Sequence, residues 1–438
     1  MTQASSQGYI CAFACRWCSL LGAERAGRDR LELPAGIRLI PVSCAGSVSA
    51  DHVIQALTNG AAGVAVLGCH LGGCRHNDAN RDAHARLDAL GALLETVGID
   101  RRRLLVSWGT AHEAEQYAKL MRDFAALLGS LPPGLEPAPA ADGTPEKNPP
   151  AGPDSAPEED AALRDQAAEA VRDGGAVLGL RRTDMGVVPA LFRADEELTD
   201  LTAGPKWPMA KLAGLLLRDR ALGEVQGVEF RALREEAAAL GDVPLRVACR
   251  ACDARALREL VALRQFPEET LSILPVPCSD ARKEACDCPR PQWPGEELPP
   301  EPETRGDDLA AKAEFWREQF SRCVPCHWCR EACPVCVCPS CSLDNPSLTP
   351  LGPQGSPLGY HLSRAMHVAD ACALCGACQD ACPRHLPLLK LHQAAARALR
   401  TWRYASGEKR LSPLRAERRI AAASGPAVPQ WKHNLGGK

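Results

Sequence analysis

The chain has 438 residues, with 51 Lys and Arg against 54 Asp and Glu, and 22 cysteines. A net charge of −3 lacks the basic excess of a nucleic-acid binder, and no uncharged apolar run is long enough for a transmembrane helix. Met1–Phe13 has neither the basic start nor the long apolar stretch of a secretory signal, so a cytoplasmic location is expected, with cysteines that bind metal or carry redox chemistry.

In chain order, Gly8–Ala14, Ile37–Val42, Gly63–Leu67 and Leu104–Ser107 are short apolar runs that read as buried strands. His52–Thr58, Arg81–Val97 and Glu113–Leu128 have helical spacing between and after them. This alternation predicts an open parallel sheet of flavodoxin-like kind over residues 1–130. Residues 131–160, rich in Pro, Ala and acids, have no apolar periodicity and read as a disordered linker. Residues 161–300 read as a second α/β unit. Its helices are Ala161–Arg172, Leu212–Leu222, Ala232–Leu240 and Ala254–Arg264, and its strands Ala176–Leu180, Leu245–Cys249 and Leu271–Val276. Residues 301–395 lose the strand pattern. Helices at Ala310–Phe320, Tyr360–Val368 and Leu386–Arg400 flank cysteine clusters, as in a mainly α-helical dicluster ferredoxin domain. Residues 396–438 form a basic tail.

Two cysteine runs carry the strongest signal. Cys323, Cys326, Cys329 and Cys333 precede Pro334, and Cys372, Cys375, Cys378 and Cys382 precede Pro383, both as C-x2-C-x2-C-x3-C-P. That is the spacing of bacterial ferredoxins, in which the fourth cysteine ligates the other cluster. One [4Fe–4S] cluster is therefore assigned to Cys323, Cys326, Cys329 and Cys382, and another to Cys372, Cys375, Cys378 and Cys333. Zinc needs four thiolates but not two identical runs ending in proline. Eight thiols remain: Cys249, Cys252, Cys278, Cys286, Cys288, Cys336, Cys338 and Cys341. They suffice for an additional [4Fe–4S] cluster, or pack as buried free cysteines. Spacing does not give a ligand set.

The first three strands each deliver cysteine to their carboxyl edge: Cys15 with Cys18, then Cys44, then Cys69, with Cys74 five residues later. Four of these five thiols suit one [2Fe–2S] cluster. Zinc suits them too, and metal-free redox chemistry is a third reading. Cys11 reads as a core thiol.

Phe13–Gly27, Val42–Val48 and Gly68–His76 resemble the delta, iron–sulfur subunit of methyl-viologen-reducing hydrogenase. The resemblance covers about residues 8–128. It implies a [2Fe–2S] cluster on Cys15, Cys18, Cys44, Cys69 and Cys74, one of them spare. Gly376 and His385-Leu386-Pro387 resemble the helical ferredoxin domains of succinate dehydrogenase and heterodisulfide reductase subunits. Gly179–Arg182, Cys249–Leu257 and Phe315–Cys323 resemble beta subunits of formate dehydrogenase and of deazaflavin-reducing hydrogenase. Together they imply an electron relay that joins the catalytic subunit of a formate dehydrogenase or hydrogenase to heterodisulfide-reductase-like subunits. The alternative is a flavin-containing beta subunit that exchanges electrons with a soluble carrier, a deazaflavin or a nicotinamide. No G-x-G-x-x-G follows a strand, so FAD has no support from the sequence.

Overall fold

The computed structural model describes residues 8–109, 113–132, 139–145, 154–225, 228, 230–286, 288, 292–294, 308–338, 340–345 and 356–406. The four N-terminal apolar runs become strands β1 (Ile10–Cys15), β2 (Ile37–Val42), β3 (Gly63–Gly68) and β4 (Leu104–Trp108). They form a wholly parallel sheet in the order β2-β1-β3-β4. The helices between and after them are α1 (Ser19–Arg28), α2 (Ala50–Thr58), α3 (Ala79–Thr96) and α4 (Ala114–Ser130).

Alternation along β1 decides what covers each face. Ile10 and Ala12 pack with Ala23 and Ala26 of α1 and with Tyr117, Met121 and Phe124 of α4. Cys11, Phe13 and Cys15 point the other way, among Val53 and Ile54 of α2 and Leu87, Leu90 and Leu94 of α3. Both faces of β1 and β3 are buried, as in a covered parallel sheet, whereas β2, read as a buried strand, lies at the sheet edge and is exposed from Arg38 to Pro41. Helix α1 has no counterpart in the sequence reading. Its buried residues are Ser19, Gly22, Ala23 and Ala26, so it shows no large apolar stripe.

The second unit comprises α5 (Pro157–Arg172), β5 (Ala176–Thr183), β6 (Gly186–Phe192), β7 (Leu201–Thr202), α6 (Met209–Leu222), α7 (Arg231–Ala238), β8 (Leu245–Cys249), α8 (Ala251–Ala262), β9 (Ser272–Pro275) and α9 (Asp280–Ala285). Its sheet runs β6-β5-β8-β9, with β7 also on β5. β5, β8 and β9 are parallel, while β6 and β7 run antiparallel to β5. The β5–β6 hairpin was not expected, because polar Arg181 and Arg182 and an internal Pro189 mask it. An edge strand tolerates that proline, and Gly186 supplies the turn at φ +119°.

Helix α5 also begins inside the stretch read as linker. Pro157 occupies its first turn and Glu159 Oε2 accepts from Ala156 N at 3.2 Å. Asp160 is buried and accepts from Ser155 Oγ (2.6 Å), Thr202 Oγ1 (3.0 Å) and Ala203 N (2.8 Å). Those acids are structural, which composition alone did not show. Residues 133–138 and 146–153 of the expected linker, and 407–438 of the expected basic tail, lie outside the described residues.

The C-terminal region is helical: α10 (Leu309–Ser321), α11 (Trp328–Glu331), α12 (Pro357–Val368), α13 (Ala377–Asp380) and α14 (Leu388–Ser406). It is wedged between the two α/β units. Trp316, Phe320, Leu362, Leu391 and Ala395 share a core with the first unit. Val335, Val368, Ala371 and Ala373 share one with the second. Among the described residues no helix is long and apolar enough to cross a membrane.

Two contacts fix the first junction. A Cβ at Gly98, where φ is +82°, would lie 2.2 Å from Ala313 N and 2.5 Å from Leu309 O of α10. Gly98→Ala is therefore expected to lower stability by more than about 1 kcal/mol, read by thermal unfolding. His367 Nε2 of α12 lies 2.7 Å from Asp51 Oδ2 of α2. Burial raises the Asp51 pKa, but the His367 hydrogen bond and charge outweigh it and hold the carboxyl below its usual range. A depressed carboxyl stabilises the fold above its unfolded pKa, and that contribution is lost as pH falls through the folded value. His367→Ala should cost up to about 1 kcal/mol at neutral pH and progressively less in acid.

Candidate metal centres

At the carboxyl edge of the first sheet, β1 ends in Cys15, β2 leads into Cys44, and β3 leads into Cys69. Cys18 caps α1 and Cys74 closes the loop after β3. Cys15 Sγ lies 3.8 Å from Cys69 Sγ, and Cys44 Sγ lies 3.7 Å from Cys74 Sγ. Cys15, Cys18 and Cys69 have their sulfurs within 4.8 Å of one another. Two thiolates on one tetrahedral ion with bonds of about 2.3 Å sit about 3.8 Å apart. The site thus contains two pairs at single-metal separation, which is what a two-metal cluster with two thiolates per metal needs.

The surroundings hold this edge tightly. Gly46 N donates to Cys44 Sγ at 3.2 Å, and a Cβ on Gly46 would lie 2.6 Å from Ala79 Cβ. Buried Asn80 donates to Cys69 O (3.1 Å) and His70 O (2.9 Å). Arg86 donates to Gly46 O at 2.7 Å. Asn80 and Arg86 were not singled out in the sequence, since both lie in α3, beyond the cysteine motif that ends at His76. The Cys15 thiol is pulled down to about 5, first by the Cys18 hydrogen bond, while burial pushes Cys44 up to about 11. Cys11 lies in the core, 3% exposed, as expected, and burial raises its pKa. Trp17, 47% exposed, stacks under Arg75 at 4.1 Å beside this edge.

The two ferredoxin-type runs occupy matching loops between helices. In the first, His327 caps α11 in the left-handed region at φ +63°; in the second, Gly376 caps α13 at φ +79°. Each loop needs a left-handed residue directly after its second cysteine, so His327 has a backbone role that aligning the two runs would have exposed. The Cys323 thiol is pushed up to about 12 by burial and then by Cys329, Cys382 and Cys326. Cys372, Cys375 and Cys378 are each pushed up to about 12 by burial, and each feels Cys333. The structure therefore brings Cys382 among the first run's thiols and Cys333 among the second's. Among the described residues no three of these sulfurs come within 4.8 Å, wider than one ion would hold.

Cations and donors converge on these thiols. Arg364 of α12 is 2% exposed, and Cys329, Cys333, Cys378 and Cys336 keep it charged against burial. His361 Nε2 lies 3.4 Å from Cys323 Sγ, and burial pushes its pKa down to about 3, so the ring is neutral. Lys206 Nζ donates to Cys375 O at 3.1 Å, and Leu386 N to Cys382 Sγ at 3.5 Å. Of the remaining thiols, Cys249 is a core residue of the second unit, Cys336 sits beside Cys333, Cys338 is exposed, and Cys341 packs against the first core.

The comparisons with known proteins fit this arrangement. Residues 10–131 match the family described as methyl-viologen-reducing hydrogenase, delta subunit. The iron-sulfur subunit of the F420-non-reducing hydrogenase of Archaeoglobus profundus is 37% identical over 124 residues, 28% of this chain and 90% of that protein. A subunit of the ferredoxin/F(420)H(2)-dependent CoB-CoM heterodisulfide reductase of Methanosarcina acetivorans is 35% identical over 125 residues, 28% of this chain but 16% of that protein. The beta subunit of the F420-dependent formate dehydrogenase of Methanocaldococcus jannaschii is 35% identical over 104 residues, 23% of this chain and 27% of that protein. Most of the heterodisulfide reductase and formate dehydrogenase subunits is therefore unmatched. Through residues 10–131, the chain belongs to the family of the delta subunit of methyl-viologen-reducing hydrogenase.

Proposed function

We propose that the chain is an iron–sulfur electron-transfer subunit. It relays electrons between a formate dehydrogenase or hydrogenase-type oxidoreductase and a heterodisulfide-reductase-like complex. The observation that carries this reading is the convergence of thirteen thiols into three sets within one packed body, with a buried arginine between two of them. The names of the relatives support the partners at either end.

On this reading Cys323, Cys326, Cys329 and Cys382 hold one [4Fe–4S] cluster, and Cys372, Cys375, Cys378 and Cys333 hold the second. Cys15 with Cys69 and Cys44 with Cys74 hold the two irons of a [2Fe–2S] cluster, and Cys18 is the spare thiol. When bound, such clusters carry single electrons at potentials set by charge, hydrogen bonding and solvent access. The chain's own groups supply those three influences. Arg364 places a cation between the two ferredoxin sets, His361 presents a ring nitrogen to a thiol, and buried Phe320 and Trp316 keep water from that side. The two ferredoxin sets fit clusters better than a single ion, because their thiols are too widely spaced for one tetrahedral metal.

The N-terminal assignment is tested by two variants. Cys44→Ser should abolish the [2Fe–2S] signal in electron paramagnetic resonance while the cubane signals persist. Cys18→Ser should keep all three. An unchanged spectrum in Cys44→Ser contradicts the assignment.

A further inference from the structure

Four thiols that belong to none of the three sets meet in one cavity. Cys252 lies in the first turn of α8, where β8 ends, and Cys278 follows β9. Cys286 caps the C-terminus of α9 and Cys288 lies two residues beyond it. All four line the same cavity, and Cys375 of the second ferredoxin run forms part of its wall. As in the first unit, the cysteines gather at the carboxyl edge of parallel strands, where α/β sheets bind their ligands.

The cavity is built for an anion. Lys206, Arg250, Arg282 and Lys283 line it together with the thiols. Lys206 and Lys283 have carboxylate partners in Asp380 (2.6 Å) and Asp280 (2.7 Å). Arg250 and Arg282 are both buried: Arg250 Nη1 donates to Pro277 O at 2.9 Å and reaches Cys278 Sγ at 3.8 Å, and Arg282 lies in the field of Glu159, Cys278 and Cys286. Four neutral thiols packed as small hydrophobes would not draw buried cations around them. A cluster held by four thiolates carries a net negative charge and suits them.

Spacing separates a cubane from zinc. Among the described residues no three of these four sulfurs lie within 4.8 Å of one another. A single tetrahedral ion would hold them about 3.8 Å apart, whereas a cubane presents four separate iron corners. We infer that Cys252, Cys278, Cys286 and Cys288 bind a third [4Fe–4S] cluster, beside the cluster that includes Cys375. This rests on the relay reading, which it extends from the ferredoxin region into the second α/β unit.

The test is iron and acid-labile sulfide on the anaerobically reconstituted full chain. Wild type should hold about fourteen irons, and Cys278→Ser and Cys286→Ser should each lose about four while both ferredoxin cubane signals persist. Cys336→Ser should lose none. About ten irons in the wild type, unchanged in the two variants, overturns the third cluster and leaves the relay intact; so does the loss of one bound zinc in place of iron. Failure of the relay reading itself looks different: fewer than about six irons in wild type, with no loss in Cys323→Ser. The wild-type count stands even where a serine variant does not fold.

Discussion

Cys382→Ala and Cys323→Ala are expected to erase the same cubane, although they lie in different cysteine runs. Each variant should lose about four irons and remove the same one of the cubane signals, together with its coupling to the other ferredoxin cubane. Cys333→Ala and Cys372→Ala should remove the other ferredoxin cubane, which titrates at a different potential. The reason is geometric. Cys382 lies among Cys323, Cys326 and Cys329, and Cys333 among Cys372, Cys375 and Cys378. The chain achieves this by turning at Pro334 and Pro383 after short helices α11 and α13, which pack against each other. Redox titration followed by paramagnetic resonance distinguishes the outcomes. If Cys382→Ala matched Cys372→Ala instead, each run would hold its own cluster and the crossed assignment would be wrong.

Arg364→Leu is expected to have opposite effects on the loaded and the metal-free protein. Arg364 sits at 2% exposure with Nη1 3.0 Å from His392 Nε2, and among the described residues its Nε and Nη2 have no hydrogen-bond partner. His392 is held neutral by burial and then by Arg364 itself, so it supplies no countercharge. In the loaded protein the countercharge comes from the ligating thiolates of Cys329, Cys333 and Cys378. With clusters in place, losing the cation leaves buried negative charge uncompensated, at about 3–5 kcal/mol. Reduction adds a further negative charge, so both cubane potentials should fall. Without clusters the buried cation is the uncompensated group, and leucine should be neutral or stabilising. Arg364→Lys should restore part of the potential. Thermal unfolding of both forms and redox titration of the loaded one check this, and unchanged potentials would contradict it.

Some of this was legible in the residues and some was not. The ferredoxin runs were, because C-x2-C-x2-C-x3-C-P encodes a local loop whose geometry follows from spacing. The parallel strands were, because each is a short apolar run between helical segments. Helix α1 was hidden by its small buried residues, and the β5–β6 hairpin by arginines and a proline that only an edge position tolerates. Arg364 was hidden for a different reason. One arginine in a helix carries no spacing signal, and its role exists only once α12 is placed between two loops distant in sequence. Cys278, Cys286 and Cys288 form a loose group in the sequence, but Cys252 joins them only where the ends of β8, β9 and α9 meet.

The central claim is that these thiols hold iron–sulfur clusters and not isolated ions. Metal and acid-labile sulfide analysis of anaerobically purified, fully reconstituted protein tests it most directly. The account predicts at least about ten irons per chain, matched by sulfide, from two cubanes and one two-iron cluster, with four more if the third cubane is present. Fewer than about six irons, or zinc without sulfide, would contradict it.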